Sequence, residues 1–105
     1  MCLQKVRDAL LTVGVPVSHY AAETQPDQYI VWEEDSQGDT LWADGGLAGQ
    51  VIEGTAHYFS KMEYDPNVQK IQQALTDADI PFRLNSIQRE DDTGYIHHEW
   101  VWQVL

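Results

Sequence analysis

The end of the chain constrains the fold most. From Tyr95 to Val104, the residues Ile96, His98, Trp100, Trp102 and Val104 recur at every second position. In an extended strand they share one face. An indole carries roughly 150–250 Å² of surface to bury, so two of them on one side of one strand require a broad apolar layer on top. A lone hairpin cannot supply it. The segment is therefore expected as a strand in a sheet with one covered face.

Two helical stripes are available as the cover. Leu3, Val6, Leu10 and Val13, with Leu11 alongside, predict a helix over 3–13, followed by Gly14 as a C-cap glycine and Pro16 as a stop. Asp65-Pro66 opens a second helix, with Asp65 capping free N–H groups and Pro66 in the first turn. Val68, Ile71, Ala74, Leu75 and Ala78 form its stripe, and Pro81 ends it.

The remaining strands follow from alternation and from β-branched and aromatic residues. Val15–Tyr20 is a short extended segment. Gln28–Glu34 is a strand, Asp35–Asp39 a hairpin turn and Thr40–Trp42 a short return strand. Gln50–Lys61 is the longest strand, with Gly54 and Ala56 small enough for close packing. Phe82–Arg89 and Tyr95–Val104 are joined by a turn at Glu90–Gly94. The expectation is an α+β fold: a largely antiparallel sheet with two helices packed on one face, in the order α-β-β-β-α-β-β. Residues 1–105 form one domain, since a chain this long buries about two-thirds of its unfolded surface around one modest core.

Charge narrows the partners. The chain carries 17 acidic and 6 basic residues, a formal net charge of −11. Between Asp8 and Ser60 there is no Lys or Arg, while nine acidic residues lie from Asp8 to Glu53. Such a field repels phosphate backbones and argues against sequence-specific nucleic-acid binding. It is either a solubilising surface or a patch that meets a basic partner. Lys5 and Arg7 are followed by no long apolar run, which argues against a secretory signal, and no stretch approaches the 18 apolar residues of a membrane helix.

Chemistry is sparse. Cys2 is the only cysteine, which excludes an intramolecular disulfide and a cysteine-based zinc site. Of the four histidines, His97 and His98 are adjacent and must face opposite ways, with His57 within reach of either across a sheet. His98 reads as a satisfied, half-buried histidine, and His19, His57 and His97 as surface ones. Glu33-Glu34-Asp35 and Asp91-Asp92 lack the spacing of a calcium loop. No Gly-x-Ser-x-Gly surrounds Ser18 or Ser60. No cofactor, metal ligand or catalytic residue is assigned, and the chain is not expected to be an enzyme. Trp32 and Trp42 flank a turn in an acidic, glycine-containing region. They are either interface anchors or sheet packing. Three glycines in Asp44–Gly49 loosen the backbone there. Trp32, Asp39, Trp42, Gly45, Gly46 and Gly49 are accordingly the candidate interface residues, in a loop over 36–49 expected to order on assembly.

The order of these phrases resembles the tail-terminator, or minor tail and head–tail joining, proteins of siphophages and prophages. The resemblance covers nearly the whole chain. It rests on the strand Tyr29-Ile30-Val31-Trp32-Glu33-Glu34 and an acidic, glycine-rich loop, then on Ala56–Ser60 running into Asp65-Pro66 and Val68–Ile71. The closing phrase is Glu90-Asp91-Asp92-Thr93-Gly94-Tyr95-Ile96-His97-His98. It implies a non-enzymatic virion protein, able to be monomeric when free, that forms a hexameric ring on the tail tube and docks it to the head. The partners implied are other copies of the chain, the tail tube protein and head–tail connector proteins. The location implied is the virion tail, after the cytoplasm of the bacterial host, with no membrane. Acidic residues would suit a ring lumen that passes DNA without holding it. Two other readings stay open: an acidic, antitoxin-like inhibitor of a basic protein, and a small metalloenzyme built on His57 with His97 or His98.

Overall fold

The computed structural model describes residues 3–38, 41–43, 46–49 and 51–105. The described elements are, in chain order, α1 (Gln4–Leu11), β1 (Val17–His19), β2 (Gln28–Gln37), β3 (Leu41–Ala43), β4 (Gly46–Gly49), β5 (Ile52–Ser60), α2 (Asn67–Asp77), β6 (Phe82–Arg89) and β7 (Ile96–Val104). The main sheet has five strands in the order β1-β2-β5-β7-β6, and β3 and β4 pair with each other in a separate two-stranded sheet. The expected α+β class holds: the sheet is antiparallel except at β1–β2, and both helices pack on one face.

Register explains why the helices take that face. Ile30 pairs with Tyr58 and Trp32 with Ala56; Tyr58, Ala56 and Gly54 then face His98, Trp100 and Trp102. This row of β2, β5 and β7 side chains meets Val6 and Leu10 of α1 and Ile71 and Leu75 of α2, and Trp100, Trp102, Tyr58 and Leu10 are fully buried. Gly54 is needed where it stands. A Cβ there would run into the Glu33 carbonyl oxygen and the Trp102 indole, so the sheet is thin where the widest side chain lies.

The helix ends show the expected punctuation and one departure. Gly14 takes the left-handed conformation at φ +96°. Asp65 Oδ1 accepts the Asn67 N–H at 2.8 Å, the expected cap. The departure is at the end of α2, where the chain turns before Pro81. Asp79 is left-handed at φ +57°, its N–H bonds Thr76 O at 3.0 Å, and the Ile80 N–H bonds Leu75 O at 2.9 Å. That pair of bonds is a Schellman motif. Ile80, 2 % exposed, supplies its apolar contact.

One expected extended segment finds its partner, and two strand expectations need correction. Val17–His19 joins the main sheet, parallel to Ile30–Trp32, because the connector 20–27 carries the chain back before β2 begins. Tyr95 Oη donates to the carbonyls of Gln25 and Pro26 and pins that connector. The expected turn at Asp35–Asp39 is instead strand as far as Gln37, with a bulge between Glu34 and Ser36. Leu41–Ala43 therefore does not return along β2. It pairs with Gly46–Gly49, residues expected to belong to a loop that orders on assembly. The β2–β5 ribbon continues outward through Gln37 opposite Ile52 and a Gly38 N–H bond to Val51 O. The molecule is long in consequence, 52 × 25 × 24 Å, with a radius of gyration of 14.7 Å against about 13 Å for a compact chain of this length.

Candidate functional site: the open sheet face and the free strand edges

The face of the sheet away from the helices carries the alternate residues of the same strands. Across it runs a stack of rings. Tyr29 lies on Phe59 at 4.8 Å between centroids, and Phe59 on His97 at 4.2 Å. Tyr95 meets Tyr29 edge-on at 5.7 Å. His57 Nδ1 and His97 Nε2 are 2.7 Å apart, so one ring donates an N–H to the other and at least one ring is neutral. Burial holds His97 below the ordinary histidine value; the neighbouring His57 adds to this, and Glu90 and Glu99 oppose it. His57 Nε2 sits 3.1 Å from Thr55 Oγ1, and Glu99 Oε1 lies 3.5 Å from His57 Nδ1. Asn85 Nδ2 donates to the other Glu99 oxygen. A depression of about 300 Å³ opens here, walled by Tyr20, Ala22, Val31 and Glu33 beside the rings.

His57 and His97 are thus half-buried and paired, and not free surface residues as the sequence suggested. His98 does point the other way, against Trp100. Burial pushes its pKa down, with Asp65 opposing, and its Nδ1 is buried without a hydrogen-bond partner, so it is not the satisfied histidine expected. Among the described residues, no group of three His, Cys, Asp or Glu side chains is placed to hold a metal ion.

The candidate interface residues separate. Trp32 is a core residue, 4 % exposed. It is overlaid by His19 at 4.0 Å and 12° and approaches Trp102 at 6.2 Å. It is no exposed anchor, because its position on β2 points it to the helix side. Trp42, Gly46 and Gly49 lie in β3 and β4. Asp39, Gly45 and Cys2 lie outside the described residues.

Sequence reasoning missed a polar node under the sheet. Asp65, 8 % exposed, accepts Tyr58 Oη and Ser60 Oγ at 2.6 Å each and Gln28 Nε2 at 2.9 Å, besides the Asn67 N–H. Burial pushes its carboxyl up, but the bonds from Ser60, Tyr58, Asn67 and Gln28 outweigh this and hold it below the usual carboxylate range. Burial and then the Asp65 bond push the Tyr58 hydroxyl up to about 12. The only sequence signal was the Asp-Pro helix start, which discloses the cap and not the other three partners.

The two edges of the sheet differ. At one, β1 covers only Ile30–Trp32, and its end is fastened where the Glu34 carboxylate accepts His19 Nε2 at 2.7 Å and Tyr20 Oη. Beyond it, Glu33–Ser36 has no strand alongside among the described residues. At the other edge β6 has no strand along its outer side, over its whole length, among the described residues. Leu84 (43 %) and Ile87 (57 %) are exposed there, on the helix side, opposite Trp100 and His98.

No helix among the described residues is long and apolar enough to cross a membrane. No protein-family model matches the chain, and a search of curated proteins finds no significant match.

Proposed function

We propose that the chain is a structural, non-enzymatic component of a siphophage or prophage tail. It assembles with copies of itself, as a hexameric ring, at the end of the tail tube, and joins the tube to the head through connector proteins. The support is the chain-long order of sequence phrases together with the α+β layout that this order implies. Among the described residues, a five-stranded sheet with one bare face, one uncovered and one partly covered edge, and a β2–β5 ribbon leading to a small second sheet has the surfaces that a ring subunit needs. The test is to mix the purified chain with uncapped tail tubes and image the tube ends. A ring of density at one end is expected; bare ends overturn the reading.

One observation favours a second reading. Glu33, Glu53 and Glu99 share the open face across β2, β5 and β7, which suits a basic protein partner. Salt-sensitive binding to such a partner, without attachment to tubes, selects that reading.

A further inference from the structure

We infer that copies of this chain join edge to edge, with the free edge of β6 in one copy pairing with the uncovered Glu33–Ser36 edge of β2 in the next. The inference rests on the proposed role as a self-assembling subunit and names the surfaces that role uses.

Three observations carry it. First, both edges present backbone groups that no strand covers among the described residues: β6 over Phe82–Arg89, and β2 beyond the three residues that β1 pairs. An uncovered edge of this kind is a template for strand addition. Second, the charges complement each other. Arg83 and Arg89 are exposed on β6, and no acidic residue lies between them. The β2 segment carries Glu33, Glu34 and the exposed bulge residue Asp35, and residues 33–53 contain six acidic residues and no Lys or Arg. The acidic turn Glu90–Asp92 lies past the end of β6. Third, Leu84 and Ile87 extend the helix-side apolar layer to the rim of the sheet and leave it exposed there. The edge of a second sheet would cover them. A natural monomer instead blunts a long edge with lysine, proline, bulges or brevity. β1 has the brevity, at three residues, while β6 has eight residues, neither Lys nor Pro, and a single bulge between Leu84 and Ser86 that leaves Phe82–Leu84 and Ser86–Arg89 in regular pairing with β7.

The geometric consequence follows from the two edges being different surfaces at opposite ends of one sheet. A contact between unlike surfaces is head-to-tail, and repetition of it closes a ring or extends a filament.

The experiment is a charge exchange in the full chain. One variant carries Arg83→Glu with Arg89→Glu, a second carries Glu33→Lys with Asp35→Lys, and a third carries all four substitutions. Self-association is read by sedimentation velocity over a concentration series and by occupancy of tail-tube ends, with circular dichroism to check that each variant is folded. Each reversed edge is expected to weaken association roughly tenfold or more, and the fourfold variant to regain most of it. Ile87→Asp, which alters no backbone group, is expected to weaken association without rescue by the β2 reversals. If the wild-type chain assembles and both reversals are tolerated, edge pairing is overturned and the tail role stands. Loss in both variants without rescue in the fourfold variant also overturns it, because the edges then meet some other protein. A wild-type chain that neither self-associates nor occupies tube ends removes the proposed function, and this inference with it.

Discussion

The two faces of β5 and β7 are built from neighbouring residues of the same strands, yet they do different work. On the helix side Ala56, Tyr58, Trp100 and Trp102 are 0–1 % exposed and close-packed against both helices. On the open side Thr55, His57, Phe59, His97 and Glu99 are partly exposed and hold one another by ring stacking and hydrogen bonds. Both faces are rich in rings. A ring on a strand therefore says nothing about stability until its face is known, because the gain comes from removing apolar area from water, and only one face has helices to do so.

The largest test of that contrast is Trp100→Ala. The residue is fully buried and donates Nε1–H to Gln72 Oε1 of α2 at 3.0 Å. A loss of about 3–5 kcal/mol in urea unfolding is expected, and a loss below about 1 kcal/mol would break the comparison. Asp65→Ala comes next, at about 2–3 kcal/mol, since it leaves the buried hydroxyl protons of Tyr58 and Ser60 without their acceptor. The sign of its pH dependence is fixed. The folded carboxyl is held below its ordinary value of 3.8, so the stabilisation is present above that value and is lost as pH falls through the lower, folded one. Acid titration of wild type and variant is expected to show the gap between their stabilities narrowing below pH 3.8. A constant gap would mean that Asp65 acts by packing alone.

Gly54→Ala probes the thinnest point of the covered face. The new methyl meets a backbone carbonyl and the edge of a buried indole, neither of which can yield without moving a strand. A cost of roughly 1–3 kcal/mol is expected by thermal or urea unfolding. The smallest effect belongs to the open side. His97→Ala removes a stacked ring and a shared proton from a partly exposed site. It is expected to change stability by no more than about 1 kcal/mol in urea unfolding. An effect as large as that of Trp100→Ala would show that the open face is a second core.

Much of this arrangement was legible beforehand. The two helices and the strands at 28–34, 50–61, 82–89 and 95–104 were readable because alternation and helical spacing are local patterns. The fate of Val17–His19 and Leu41–Ala43 was not. The expected tally of five strands in the layer came out, but the first of these segments belongs to it and the second does not, since a three-residue strand has too little pattern to declare its partner. Trp32 and Trp42 looked alike in sequence. The register of β2 against β5 put Trp32 opposite Ala56 and therefore under the helices. The His57–His97 contact spans 40 positions and the Gln28–Asp65 contact 37, and no spacing rule reaches that far.

By itself, the sequence determined that this chain makes an α+β layer with two helical covers, that its indole-bearing strand faces inward, and that its middle is strongly acidic. These follow from side-chain period and composition, which any short window contains. Only the tertiary structure decided which strands are neighbours, which ring stack is left bare, where Asp65 finds its donors and which edges stay uncovered. Those depend on register between distant segments, and register is settled by how well the whole core closes.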